Sequence, residues 1–322
     1  MVPPPDKLNP TDLSNVRRYS IASRPSRTHV EAFGRPCSSP DAAEFLASLP
    51  HFLKATDLRD FISRVAAARR RGYPFHCLMG AHTIKVGLSP IIIDLMRSGI
   101  ITGLSFNSAG IIHDTELALF GGTSEDVQAG LGDGSFGMVE ETGKSFAAIT
   151  ALAAESGVGL GEATGRYINE QNAPNRELSV FAVAQKLGLP VTVHVGIGTD
   201  IVAQHPDYAA AAVGAASHID FRLLCSVCEQ VDRGGVMANI GSAVILPEVF
   251  LKALTVARNL AGGAAGGLTT ANFDMIVHYR PSENVVRRPT HHGGRGYTFV
   301  GHHEIMIPLL AWGLKAELKN KA

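Results

Sequence analysis

Four short apolar runs recur along the 322-residue chain, each cut off by small residues and followed by a helix-like pattern. They are residues 75–79 (FHCLM) before Gly80, 101–106 (ITGLSF) before Asn107-Ser108-Ala109-Gly110, 190–195 (PVTVHV) before Gly196-Ile197-Gly198, and 235–240 (GVMANI) before Gly241-Ser242. Runs of this length and composition read as buried strands. Alternating with helices, they predict an α/β fold, a mostly parallel sheet with helices on both faces. Parallel strands carry their carboxyl ends on one edge, where open α/β sheets bind ligands. Small residues let the backbone turn sharply and approach a ligand closely, so the four turns are expected to converge on one crevice.

The rest of the chain fits around this frame. Residues 1–40, rich in Pro, Ser and Arg and without a period, predict an extended arm, leaving 41–322 as a single α/β domain. Ser39-Pro40 reads as the cap and first residue of a short helix ending at Leu49. An amphipathic helix is expected over 57–71, stopped by Gly72 and Pro74, with Arg69-Arg70-Arg71 at its carboxyl end. Ser89-Pro90 opens a helix over 91–98. The helix after Gly110 carries Asp114 and Glu116 in its expected first turn, where the helix dipole favours acids. A glycine-rich loop follows, with Gly130, Gly132, Asp133, Gly134 and Gly137 ahead of Glu140 and Glu141; it suits a ligand-facing segment or a solvent-exposed connection about equally. Helical pattern then runs over 146–188 and returns over 220–231 and 247–260. A last strand is expected at 273–278, then a loop heavy in Arg, His and Gly over 280–303, and a closing helix over 305–319.

A formal net charge of zero leaves no basic excess to neutralise phosphates, which argues against nucleic acid as a partner. The N-terminus MVPPPDKLNP has no apolar core, and no run approaches the ~20 apolar residues of a membrane span. A cytoplasmic protein is the expectation, with no membrane partner. Four cysteines in a chain this long make no disulfide framework. Cys225-Ser-Val-Cys228 has the spacing of a redox or metal pair, but it lacks a second half and falls on an apolar helix face, so it reads as core packing.

The turn Ser108-Ala109-Gly110, with His113 and Asp114 behind it, resembles the Thr-Ala-Gly-Gly-Val-Glu-Glu-Asp segment of deoxyhypusine synthase. Gly80-Ala81-His82-Thr83-Ile84-Lys85-Val86-Gly87 sits where that family has Thr-Ser-Asn-Leu-Ile-Ser-Ser-Gly. Gly196 to Asp200 is similar to its strand and Ala-Leu-Thr-Asp-Gly turn. The likeness runs from about Phe75 to Trp312. It implies a Rossmann-like NAD-binding fold, NAD as cofactor without a Gly-x-Gly-x-x-Gly fingerprint (which is absent after any strand here), and a homo-oligomer, dimer or tetramer. Gly80, His82, Asn107, Ser108, Ala109, Gly110, Gly196, Gly198, Gly241 and Ser242 would shape the cofactor crevice.

The family holds an aminobutyl group as an imine on a lysine in a Trp-Gly-Lys motif. Here that region reads Gly301-His302-His303, and histidine has no primary amine to form an imine. Protein-lysine modification gives way to a reaction on a small amine or amino acid, in which NAD takes hydride from the carbon bearing the amine. Asp200 and Asp114 would bind substrate ammonium, His113 or His302 would shuttle protons, and Lys85 is the candidate imine-forming nucleophile. Two alternatives stand beside this reading. One is a metal-dependent hydrolase using the C-terminal histidines His278, His291, His292, His302 and His303. The other is a catalytically silent nucleotide-binding or assembly protein.

Overall fold

The computed structural model describes residues 9–319. Six strands, β1 (Phe75–Met79), β2 (Gly103–Asn107), β3 (Val191–His194), β4 (Val236–Ile240), β5 (Thr269–Asp274) and β6 (Arg295–Val300), make one all-parallel sheet in the order β3-β2-β1-β4-β5-β6. This is the doubly wound order, in which the direction of winding reverses between β1 and β4. The expected α/β Rossmann-like fold is therefore present.

Thirteen helices connect and cover the strands among the described residues: α1 (Ala42–Ser48), α2 (Leu53–Arg70), α3 (His82–Lys85), α4 (Ser89–Arg97), α5 (Ser108–Phe120), α6 (Val127–Asp133), α7 (Glu140–Ser156), α8 (Leu160–Glu170), α9 (Val180–Lys186), α10 (Ala210–Asp232), α11 (Ile245–Ala261), the short α12 (Tyr279–Pro281), which runs into a π-helical stretch (Ser282–Arg287), and α13 (His303–Lys319).

Period-two alternation gives the sheet two unlike faces. Phe75, Cys77, Met79, Leu104, Phe106, Val236, Ala238 and Phe273 build an apolar core with residues of α2, α4, α5 and α13. On the other face Leu78 and Met237 pack under α10 and α11, but most of their neighbours are polar. His76 Nε2 meets Ser105 Oγ at 2.8 Å, Ser105 Oγ meets Thr192 Oγ1 at 2.6 Å, and Thr192 Oγ1 meets His194 Nε2 at 2.9 Å. This buried chain crosses three strands, while Asn239 Nδ2 donates to Asn272 Oδ1 across the next two. Burial holds His76 down to about 3 and His194 to about 4, so both imidazoles stay neutral.

Several expectations are corrected. The first helix is capped by Asp41, which accepts from the N–H groups of Ala43 and Glu44, rather than by Ser39. α5 starts at Ser108 itself, which puts Asp114 and Glu116 beyond its first turn. The glycine-rich loop contains α6, capped by Asp126. The last strands lie elsewhere: β5 begins four residues before the expected run, and the Arg- and His-rich stretch holds β6, paired in register with β5. Residues 9–40 are almost wholly exposed and include two 3-10 turns; residues 1–8 of the expected arm lie outside the described part. By length and mean composition α10 alone among the described helices is long and apolar enough to cross a membrane, although Asp220 and Arg222 interrupt its apolar run. Here it packs on β3 and α11, with Val213, Leu224, Val227 and Val231 buried.

Candidate functional site

The four small-residue turns do lie on the carboxyl edge, but they play different parts. At the reversal between β1 and β4 the backbones touch. Gly80 N–H donates to Ile240 O, and a Cβ on Gly80 would stand 2.1 Å from Gly241 O. Gly241, at φ +69, presses its own Cα against His303, whose Cε1 would be 2.7 Å from an added Cβ. Only glycine fits either place. The switch point is thus closed by a glycine pair, and the open volume lies beside it.

That volume is a cavity of ≈ 500 Å³ over the ends of β2 and β3, bordered by Lys85 of α3, Asn107, Ser108, Ala109, Ile112 and His113 of the β2–α5 junction, Thr199 and Asp200 after β3, and Val244 and Ile245 entering α11. Ser124, Glu125, Val127 and Phe136 of the α5–α7 connection border its other side. Its size falls within the range of small-molecule sites.

Local chemistry lines the cavity with groups of both signs. The N-terminus of the 13-residue α5 opens here, and its first N–H groups have no intrahelical partner. Asn107 occupies the cap position without making a cap hydrogen bond; its Oδ1 is buried and unpartnered. Ser108 Oγ, also buried, lies beside the Asp200 carboxylate without a hydrogen bond of ordinary geometry. The α5 N–H groups and Lys85 suit an anion, whereas Asn107 Oδ1 suits a donor. Beside Ser108, Asp200 accepts from Gly196 N–H at 2.8 Å. Burial raises the Asp200 pKa, and the Ser108 hydroxyl and Gly196 N–H pull it back. His113 is half-buried; burial first, and then Lys85, lower its pKa, against Glu116.

Of the expected site residues, Lys85, Asn107, Ser108, Ala109, His113 and Asp200 meet at this cavity. The others do not. Asp114 is a correction: it is buried and accepts from Ser179 Oγ and from Val180 N–H and Phe181 N–H, so it ties α5 to the start of α9. Its burial raises its pKa to about 6. His302 is also corrected: its side chain is exposed beside Glu304, and the buried imidazole is that of His303, which meets Phe273 O at 3.2 Å and packs edge-on to His82. Gly110 packs against the Phe106 ring inside the fold, Gly196 and Gly198 shape the Asp200 turn, and Ser242 Oγ accepts from Leu246 N–H at the start of α11.

Two residues that had carried no role stand out. Glu116 accepts from Thr142 Oγ1 at 2.6 Å and from Thr123 Oγ1, which meets His113 Nδ1 at 2.7 Å. The i, i+3 spacing of His113 and Glu116 on one helix face was readable; the reach of Thr123 was not.

Among the described residues no group of three or more His, Cys, Asp or Glu side chains is placed to hold a metal ion. The C-terminal histidines are dispersed, His278 near Asp274, and His291 against His292. Cys228 is buried and Cys225 partly so, with both thiol pKa values pushed up by burial, as core packing requires. The arginines of the C-terminal segment pair within the chain: Arg280 with Glu248, and Arg287 and Arg288 with Glu283.

No family model and no curated protein matches the chain. Solved structures do. The ternary complex of AgrE with ornithine and NAD+ is 14% identical, covers 82% of this chain and has a TM-score of 0.51. A conserved LOR/SDH protein from Methanococcus maripaludis S2 is 13% identical, again over 82% of this chain, with a TM-score of 0.50. Unliganded AgrE is 13% identical over 80%, also at 0.50. These likenesses establish the fold. The chain corresponds to 33% of the AgrE chains and 68% of the Methanococcus protein.

Proposed function

We propose that the carboxyl-edge cavity binds a small amino acid or amine beside a nicotinamide dinucleotide, and that the chain is a NAD-dependent enzyme acting at the carbon bearing the amine. The observation that carries this is the ≈ 500 Å³ cavity on the carboxyl edge of a doubly wound sheet, lined by Lys85, His113 and Asp200. AgrE, which shares the fold, is described in complex with ornithine and NAD+.

The residues present suit the cofactor: an uncapped helix N-terminus, a lysine, and two buried oxygens, Asn107 Oδ1 and Ser108 Oγ, that lack partners. Lys85 and the α5 N–H groups would hold a phosphate or carboxylate, Asp200 would hold the ammonium, and His113 would take its proton. Bound NAD would supply the hydride acceptor. The finer reading, a deoxyhypusine synthase-like transfer or a deamination through an imine in a dimer or tetramer, rests on the motif resemblance. Lys85, exposed at the cavity rim, is its nucleophile.

Denaturing the purified chain and assaying the supernatant for NAD, alongside thermal shifts with NAD, ornithine and polyamines, tests the proposal. NAD release, or stabilisation by NAD that an amine increases, supports it; no stabilisation by any of them contradicts it. A borohydride-trapped adduct on Lys85 is expected with an active substrate, and turnover without it ends the lysine role.

A further inference from the structure

The hydrogen bonds around Glu116 fix more than a position. An ionised carboxylate only accepts, so the Thr123 hydroxyl gives its single proton to Glu116 Oε2. The Thr123 oxygen can then only accept from His113 Nδ1, 2.7 Å away, which must carry the hydrogen. A neutral imidazole has one N–H. Its lone pair is thereby assigned to Nε2, in a side chain bordering the cavity with Lys85, Ser108 and Asp200.

We infer that Glu116 and Thr123 are positioning residues that hold His113 in its Nδ1–H tautomer, making Nε2 the proton acceptor of this cavity. The inference deepens the amine-binding reading and rests on it for what delivers the proton. In the step itself an N–H bond of a substrate ammonium breaks, its electron pair stays on the amine nitrogen, and an Nε2–H bond forms. The positive charge arising on the imidazolium is met by Glu116, whose Oε2 is 4.0 Å from Nδ1. The charged groups acting on the ring are Lys85 from α3 and Glu116 from its own helix.

The arrangement is built by the backbone. Gly121 at φ +76 ends α5, and Ser124 at φ +75 is a rare non-glycine residue in the left-handed region. Between them Thr123 is turned back over the helix it has just left. Thr142 of α7 holds the second oxygen of Glu116 and so fixes the carboxylate from a third element. Because Thr123, Ser124 and Glu125 belong to the segment that walls the cavity, the base is correctly set only while that wall is in place.

Nitrogen-15 NMR of the full chain labelled at histidine reads the tautomer directly, without cofactor or turnover. Wild type is expected to show neutral His113 protonated at Nδ1. Thr123→Val should give a mixed or Nε2–H population, and Thr123→Ser should restore the Nδ1–H form. A wild-type His113 protonated at Nε2, or a Thr123→Val spectrum with the tautomer unchanged, overturns the relay. The two readings fail separately: absence of NAD and amine binding with the Nδ1–H tautomer intact removes the function and leaves the relay standing.

Discussion

The polar chain over β1, β2 and β3 and the carboxyl rim beside it use the same residue types to opposite ends. Under α10, His76, Ser105, Thr192 and His194 are linked end to end across three strands with no gap. At the rim, where β2 gives way to α5, Asn107 Oδ1 is buried and unpartnered, and Ser108 Oγ lies beside Asp200 without a hydrogen bond of ordinary geometry, Asp200 itself accepting only from Gly196 N–H. A buried polar group without a partner costs free energy that a folded chain retains only for a reason. Closed networks read as structure, and open ones beside a cavity read as places for a ligand. Asp114 and Asp200 repeat the contrast: both have raised pKa values through burial, but the first is enclosed by three donors of this chain and the second faces the cavity.

The largest effect is expected at the seam between the two halves of the sheet. Gly80→Ala sets a Cβ against a backbone carbonyl, with no flexible side chain to give way; urea unfolding should show a loss of about 3 kcal/mol or more. A loss below about 0.5 kcal/mol would mean that β1 and β4 part easily, and with them the account of a closed switch point.

Acidity gives the next effect. The folded pKa of Asp114, about 6, lies above its ordinary 3.8, so the folded state favours the neutral acid. Its contribution to stability is full below the ordinary value and is lost as the pH rises through about 6, an effect of up to about 3 kcal/mol. Asp220, pushed up to about 7 by burial between Gly161 N–H and Val193 N–H, adds to the same slope. Urea midpoints between about pH 4 and 7 should fall with rising pH, and Asp114→Asn should flatten the fall.

Thr192→Val breaks the closed chain, strands His194 Nε2 in the interior and leaves Ser105 with His76 alone, for a loss of about 2 kcal/mol with ligand affinity unchanged. Lys85→Ala reverses the pattern: stability within about 0.5 kcal/mol, measured by thermal melting, and NAD affinity down roughly tenfold, or about 1.4 kcal/mol. Equal behaviour of these two variants would erase the distinction between closed and open networks.

The sheet was largely legible because β1, β3 and β4 are apolar enough to announce themselves. β5 (TTANFD) is buried throughout yet mostly polar, with Thr270 and Asn272 on the face where Asn239 waits, and hydrophobicity alone pointed past it. β6 is an edge strand with exposed ends, hidden among arginines and histidines. Of the residues that line the candidate cavity, Lys85 and Ser108 stood out by turn position, and His113 and Asp200 by the motif resemblance. Asp114 was misjudged because proximity in sequence says nothing about the side of α5 it occupies, and His302 because α13 begins one residue later and buries His303 instead. Thr123 depended on a left-handed turn that no pattern displays.

The most direct test is a calorimetric titration of NAD into the full chain and into Ala109→Trp, in which an indole occupies the cavity at the start of α5 while a melting curve checks the fold. One NAD bound per wild-type chain and none to the folded variant is the predicted result. No binding to wild type, or equal binding to both, would place the ligand elsewhere and contradict the site.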